Sequence, residues 1–151
     1  ESSLLNRLIQ NNVSLQPSFL TIDIDGADYH LWENISARYS PDVVCIEFNP
    51  SIPNDIFFIQ PADIRVQKGS SLLALTSLGR RLDYVLVACT TFNAIFVHNR
   101  FTHRLPHIPN QDDLDLIHIP TMITEMFQTY DGELVYVGTK KLLWHDIALN
   151  S

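Results

Sequence analysis

The fold is decided by the stretch Leu20-Thr21-Ile22-Asp23-Ile24-Asp25-Gly26-Ala27-Asp28-Tyr29, a β-branched run that ends in carboxylates at a turn. A second stretch of the same kind, Val43-Val44-Cys45-Ile46-Glu47-Phe48-Asn49-Pro50, follows about twenty residues later. In open α/β sheets, ligands bind beyond the carboxyl ends of the strands. If the two strands are parallel neighbours, their polar ends lie together. The sequence therefore predicts one cleft that contains Asp23, Asp25, Glu47 and Asn49.

The first hundred residues alternate between helical and strand patterns. The predicted elements are a helix over 3–12, a strand over 19–25, a helix over 28–38, a strand over 42–48, a helix over 71–81, and strands over 84–90 and 94–98. Such alternation is typical of a parallel sheet with helices on both faces. The link Thr91-Phe92-Asn93 is short enough for an antiparallel hairpin at the end of this sheet.

The chain divides into two parts by pattern. Residues 1–99 form the α/β part, and residues 100–151 read as a C-terminal extension that packs on the sheet or on a partner. Within the extension, 121–130 suits a short helix, Asp131-Gly132 a hairpin-type turn and 133–137 a strand. The pair Leu142-Leu143 and Trp144 give this extension apolar surface to bury.

Composition excludes several classes of partner. The 151 residues carry a net charge of -7 and have a pI near 5.1, which argues against a nucleic-acid or anionic-membrane surface. The longest apolar runs have the length of strands, so the sequence predicts no membrane span. Cys45 and Cys89 permit a disulfide, but two free thiols in an intracellular reducing compartment are the favoured interpretation.

Four segments together resemble the second half of an FkbM-like methyltransferase domain. They are T-I-D-I-D-G-A-D-Y-H-L-W, V-V-C-I-E-F-N-P, G-S-S-L-L-A-L-T-S-L-G-R-R and F-N-A-I-F-V. They occur in the family's order at compatible spacing and cover roughly residues 1–99. The D-I-D-G-x-D-Y-x-x-W block is the most specific of the four.

The resemblance implies an α/β, Rossmann-like class I fold that binds S-adenosylmethionine, with strand order 3-2-1-4-5-7-6. On that template, 19–25 is strand four, 42–48 strand five, 84–90 strand six and 94–98 strand seven, in a mostly parallel sheet. Strands one to three, with their glycine-rich loop, have no counterpart in this sequence. The implied function is part of an S-adenosylmethionine-dependent methyltransferase, with O-methyl transfer to a small molecule or glycan.

Without strand one, the strand at 19–25 would be a bare apolar edge of the sheet. Natural proteins avoid such edges because their unpaired N–H and C=O groups recruit other strands. We expect an N-terminal segment missing from this sequence, or a second chain, to pair with it. The start at Glu1-Ser2-Ser3, without Met or a signal peptide, fits a processed segment, an excised segment or an incompletely covered longer chain.

Each candidate site residue has a functional and a structural interpretation. Asp23 and Asp25 are a candidate catalytic pair, or ligands of a divalent metal such as Mg²⁺; alternatively, Asp25 caps the next helix and Asp23 bonds loop backbone. Glu47 is a candidate base that deprotonates the acceptor, and Asn49 would orient it. Both would otherwise satisfy the loop before Pro50.

Two further residues complete the candidate site. Gly26 either lets a ligand approach the backbone or only forms the turn. His30 is a candidate general base if it faces the cleft, although a single helical histidine more often lies in the core or on the surface. By resemblance, the cofactor would contact Asp23, Gly26 and Asn49.

Two other functions remain open at this point. A degenerate methyltransferase-like domain could act as a catalytically inactive scaffold or subunit within a larger assembly. Alternatively, Asp23, Asp25 and Glu47 could form a metal-dependent, hydrolase-like site.

Overall fold

The computed structural model of the chain describes residues 4–63, 65–138, 141–142 and 147–148, the last four by their backbone only. The helices and strands, in chain order, are α1 (Leu4–Gln10), β1 (Phe19–Ile22), α2 (Asp28–Ile35), β2 (Val43–Glu47), α3 (Leu72–Arg81), β3 (Tyr84–Cys89), β4 (Asn93–His98), β5 (Thr124–Gln128), β6 (Leu134–Gly138), β7 (Lys141–Leu142) and β8 (Ile147–Ala148). Two short 3-10 helices, Asn99–Arg104 and Leu114–Leu116, lie between β4 and β5.

Four strands form the main sheet in the order β1-β2-β4-β3. This order matches the positions that the resemblance gave to these four segments. The prediction of a mostly parallel Rossmann-like sheet, however, is wrong. Only β1 and β2 pair in parallel, whereas β4 is antiparallel to both β2 and β3. The sheet is therefore mixed, and a separate antiparallel hairpin of β5 and β6 accompanies it.

The lengths of the connections explain this correction. β1 reaches β2 through α2, which is long enough for the crossover that a parallel pair needs. Between β3 and β4 there are only three residues, 90–92, so these strands must be antiparallel. Since β4 lies between β2 and β3, it contributes two antiparallel pairings at once.

The core lies between the sheet and the helices α2 and α3. Trp32 of α2 is fully buried, with its ring centroid 4.8 Å from that of Phe96 in β4. A Cβ atom at Gly79 of α3 would lie 2.9 Å from the Phe96 ring and 3.2 Å from Trp32. Both helices therefore cover the face of the sheet that carries Phe96.

The start of α3 follows from a local signal in the sequence. Ser71 is its N-cap, and the Ser71 hydroxyl accepts a hydrogen bond from the Ala74 amide at 3.2 Å. The predicted inward-facing residues of this helix, Leu72, Leu75 and Leu78, are all buried. α1 differs, because none of its residues is buried.

The extension after β4 contacts both α3 and β3. The Gln111 side chain forms two hydrogen bonds with Leu86 of β3, and Arg80 pairs with Asp112 at 2.8 Å. The prediction of a helix over 121–130 is wrong, because β5 occupies Thr124–Gln128 and pairs with β6 across the turn at 131–132. The predicted packing of Leu142, Leu143 and Trp144 lies outside the side chains that the structure describes.

Candidate active site at the carboxyl ends of β1 and β2

The turn after β1 is closed by a buried carboxylate. Asp28, at the start of α2, is 1% exposed and accepts hydrogen bonds from the amides of Ile24 at 3.1 Å and Gly26 at 2.9 Å. Burial raises the pKa of Asp28, while these two bonds lower it. Asp28 thus takes the structural role that the sequence left open for Asp23 and Asp25, whose side chains remain exposed.

The same turn places two residues in unusual backbone conformations. Asp25 has φ +56° and Gly26 φ +138°, so the chain reverses tightly after β1. A Cβ atom at Gly26 would lie 2.6 Å from Oε1 of Gln60 and 2.9 Å from the carbonyl oxygen of Val66. The space beside Gly26 is therefore filled by the protein itself, which fits its interpretation as a turn residue.

Three of the predicted side chains meet at this end of the sheet. Carboxylate oxygens of Asp23, Asp25 and Glu47 all lie within 4.8 Å of one another. The parallel register, with Ile22 opposite Ile46, brings the ends of β1 and β2 side by side and explains this proximity. Among the described residues, no basic side chain forms an ion pair with any of the three.

Glu47 has the most perturbed carboxylate of this cluster. Partial burial raises the pKa of Glu47 to about 7, and the negative charges of Asp23, Asp28 and Asp25 add to the effect. A carboxylate of this pKa exchanges a proton readily near neutral pH, as a general base must. Carboxylate oxygens are also the ligands that a hard cation such as Mg²⁺ binds, so this cluster could hold one.

Asn49 does not join the carboxylate cluster through its side chain. Its amide donates to the carbonyl of Lys68 at 2.6 Å, and its Oδ1 accepts from the amide and the hydroxyl of Ser51 at 2.9 and 2.6 Å. Asn49 is 5% exposed. These contacts join the loop after β2 to the segment before α3, which agrees with the structural interpretation of Asn49.

His30 is held by the loop that faces α2. Its Nε2 lies 2.6 Å from the carbonyl oxygen of Gln60. Since a carbonyl only accepts hydrogen bonds, Nε2 must carry the proton, and the neutral ring keeps its lone pair on Nδ1. His30 and Asp25 line the same groove beside α2.

Gln60 organises this region and carried no signal in the sequence, because it lies in a segment without periodicity. It is fully buried, and its Oε1 accepts hydrogen bonds from the amides of Lys68 and Gly69, each at 2.7 Å. The backbone N–H of Gln60 donates a hydrogen bond to the hydroxyl of Ser70 at 3.1 Å. Gln60 therefore fixes the loop against which Gly26 and His30 pack.

Comparisons with known proteins add no family to this geometry. No family model, curated protein or solved structure matches the chain. Within the part of the chain that the structure describes, no helix has the length and apolar character needed to span a bilayer. Both cysteines, Cys45 and Cys89, are free thiols that lie half-buried in the main sheet.

Proposed function

We propose that this chain is one part of an S-adenosylmethionine-dependent methyltransferase that methylates an oxygen of a small molecule or glycan. The observation that carries the proposal is the cluster of Asp23, Asp25 and Glu47, whose carboxylate oxygens lie within 4.8 Å of one another. Partial burial and the neighbouring negative charges raise the pKa of Glu47 to about 7. These three side chains come from two of the four sequence blocks that resemble FkbM-like methyltransferases. The resemblance supplies the reaction type, and the cluster supplies a base suited to it.

The role of this chain is to prepare the acceptor. Glu47 takes the proton of the acceptor hydroxyl, so that the oxygen becomes a nucleophile. Asp23 and Asp25 keep the pKa of Glu47 high, or hold a divalent cation that positions the oxygen. The cofactor, when bound, supplies an electrophilic methyl group.

The described residues do not form a cofactor site by themselves. Of the three predicted contacts, Gly26 is packed against Gln60 and Val66, and the side chain of Asn49 is used within its loop. Asp23 is the one that remains open. A complete cofactor site therefore requires a further polypeptide.

The free edge of β1 is where that polypeptide would join. β1 is the terminal strand of the main sheet, and no described strand lies on its second edge. Phe19 in this strand is 59% exposed. An unpaired apolar strand recruits another strand. We infer that an N-terminal segment, or a second chain, pairs there and brings the cofactor loop to the carboxylates.

The alternative is an inactive scaffold of the same origin. This alternative is favoured because Asn49, Gly26 and Asp28 are all engaged in contacts within the protein. Among the described candidate residues at these strand ends, the carboxylate cluster is then the group available for catalysis. A scaffold would need the free edge of β1 for assembly but would not need Glu47 to remain ionisable near pH 7.

The deciding experiment uses the native particle that contains this chain. Its intact mass is measured, and S-adenosylmethionine is then titrated into it by calorimetry. Micromolar binding by a species heavier than 17.3 kDa, with methyl transfer lost in Glu47→Gln, is the expected result. A complete particle that binds no cofactor would overturn the proposal in favour of the scaffold. Binding by this chain alone would show that the free edge needs no completion.

A further inference from the structure

A groove of about 570 Å³ lies between α1, α2 and the turn after β1. Its volume is within the usual range for small-molecule sites. Most of its lining is aliphatic. The apolar lining residues are Leu4, Ile24, Ala27, Leu31, Ala62 and Val66. Ile24, although apolar, is 47% exposed, so its side chain is available to a ligand.

Two polar residues in the groove connect it to the carboxylate cluster of the candidate active site. Asp25 lines the groove and also belongs to the cluster with Asp23 and Glu47. His30 lines it as well, with Nε2 committed to the carbonyl of Gln60 and the Nδ1 lone pair left over in the neutral ring. A molecule in this groove therefore meets hydrocarbon along its body and hydrogen-bond acceptors at Asp25 and His30.

We propose that this groove binds the body of the methyl acceptor, and that the acceptor is an alcohol with an apolar aliphatic body rather than a glycan. The inference rests on the proposed function, since it names the substrate class of the same site. The apolar body lies against Ile24, Leu31 and Val66. The hydroxyl group lies at the Asp25 end, where its O–H donates to the carboxylate cluster.

The lining decides between an apolar alcohol and a sugar. A sugar carries hydroxyl groups around its whole ring. Each hydroxyl group that is buried without a hydrogen-bond partner loses its hydrogen bonds to water, and this loss weakens binding. Among the described residues that line the groove, the polar side chains are those of Asp25, His30 and Asn34. An alcohol with one hydroxyl group needs only one of these, while its hydrocarbon gains from the aliphatic lining.

The test uses 1-hexanol and methyl glucoside as probes with the full chain, followed by amide chemical shifts in NMR titrations. Hexanol is expected to shift the amides of residues 24–34 and 62–66, and methyl glucoside is expected to leave them unchanged. Ile24→Asn should weaken hexanol binding about tenfold, because it places a polar group against the hydrocarbon. Ile119→Asn is the matched control, since Ile119 is 78% exposed and lies outside the groove.

The two proposals fail in different ways. Hexanol binding that Ile24→Asn leaves unchanged, shifts that map elsewhere, or tighter binding of the glucoside would each overturn the apolar acceptor. Hexanol binding in a native particle that binds no S-adenosylmethionine would remove the methyltransferase role, and with it the acceptor assignment, while leaving an apolar-ligand site. A normal particle that methylates only sugars would remove the acceptor class alone.

Discussion

The two edges of the main sheet are finished in different ways. At the β3 edge, Gln111 imitates a neighbouring strand: its Oε1 accepts from the Leu86 amide at 2.9 Å, and its Nε2 donates to the Leu86 carbonyl at 2.8 Å. A register shift between Leu86 and Ala88 further interrupts this edge. At the outer side of β1, away from β2, no described strand pairs with the backbone, and Phe19 is 59% exposed. Natural sheets protect edges with such devices, and the proposed partner of β1 would serve the same purpose at this edge.

The charges near the two edges follow the same division. Beside β3, the acid Asp112 is paired with Arg80 at 2.8 Å. Beside β1, Asp23 and Asp25 cluster with Glu47 and form no ion pair among the described residues. Partial burial, together with the uncompensated charges of the neighbouring carboxylates, raises the pKa of Glu47, and the ionised cluster opposes folding. A cation, a substrate or a partner at this edge would relieve that repulsion.

The largest effect on stability is expected from removing the side chain that covers the β3 edge. Gln111→Leu removes both partners of Leu86, whose side chain is fully buried. We expect the free energy of unfolding to fall by about 2 kcal/mol, because two backbone groups lose their hydrogen bonds. Urea denaturation measures this loss, and sedimentation should show association through the newly exposed strand.

Gln67→Leu is the control for that substitution. Gln67 is exposed, so the same change there should alter the free energy of unfolding by less than about 0.5 kcal/mol. If the Gln111 and Gln67 variants behave alike, Gln111 does not protect the edge, and the contrast between the two edges loses its basis.

The next effect concerns a cation at the carboxylate cluster. Asp25→Asn should weaken Mg²⁺ binding about tenfold, since a charged ligand is replaced by a neutral one. Mg²⁺ titrations followed by NMR measure this directly, and Asp55→Asn provides a control at another exposed aspartate. Equal Mg²⁺ affinity in both variants would mean that any cation binds elsewhere and that Asp23 and Asp25 act only through their charge.

A smaller effect follows from the pKa of Glu47. Since the folded pKa is about 7 and the ordinary value 4.5, the folded state binds more protons than the unfolded state between these pH values. Stability should therefore fall as pH rises from about 4.5 to about 7 and stay lower above it. Glu47 is only half-buried, so water reduces the effect to about 1 kcal/mol.

Glu47→Gln separates this contribution from others. The variant should lose the decline near pH 6–7 and become more stable than the wild type at pH 8, as measured by thermal melts across pH. The raised pKa of Asp28 has the same sign and leaves a smaller decline in both proteins. A wild-type curve that is flat through neutral pH would show that Glu47 titrates normally and would remove the support for its role as base.

Much of the fold was predictable because it depends on local patterns. The β-branched runs gave β1 and β2 within three residues of their ends, and the spacing of Leu72, Leu75 and Leu78 gave α3. The short link 90–92 gave the antiparallel pairing of β3 with β4, but the sheet as a whole was wrongly predicted to be mostly parallel, because β4 is antiparallel to both of its neighbours, β2 and β3. The segment Thr124–Gln128 was misassigned as a helix, although the turn at 131–132 requires a partner strand before it.

The candidate site shows the same limit. The proximity of Asp23, Asp25 and Glu47 followed from two parallel strand ends, and the structure brings these carboxylates together. The sequence did not decide between the structural and functional interpretations of Asn49 and Gly26. Their partners in the structure, Lys68 and Gln60, come from a loop with no sequence pattern. The packing of irregular segments that are distant in sequence therefore determines which polar residues stay available to a ligand.

Phe19→Lys should have the smallest effect on the stability of the isolated chain. It also gives the sharpest test of the difference between the β1 and β3 edges. Phe19 is exposed, so a charge there should change the free energy of unfolding of this chain by less than about 0.5 kcal/mol. In the native particle, the same lysine would be buried in the interface and should release the partner. Phe57→Lys, at a phenylalanine that is 56% exposed, should leave the particle intact. Sedimentation of both variants compares them, and a Phe19→Lys particle that stays assembled would show that the open edge of β1 is not where a partner binds.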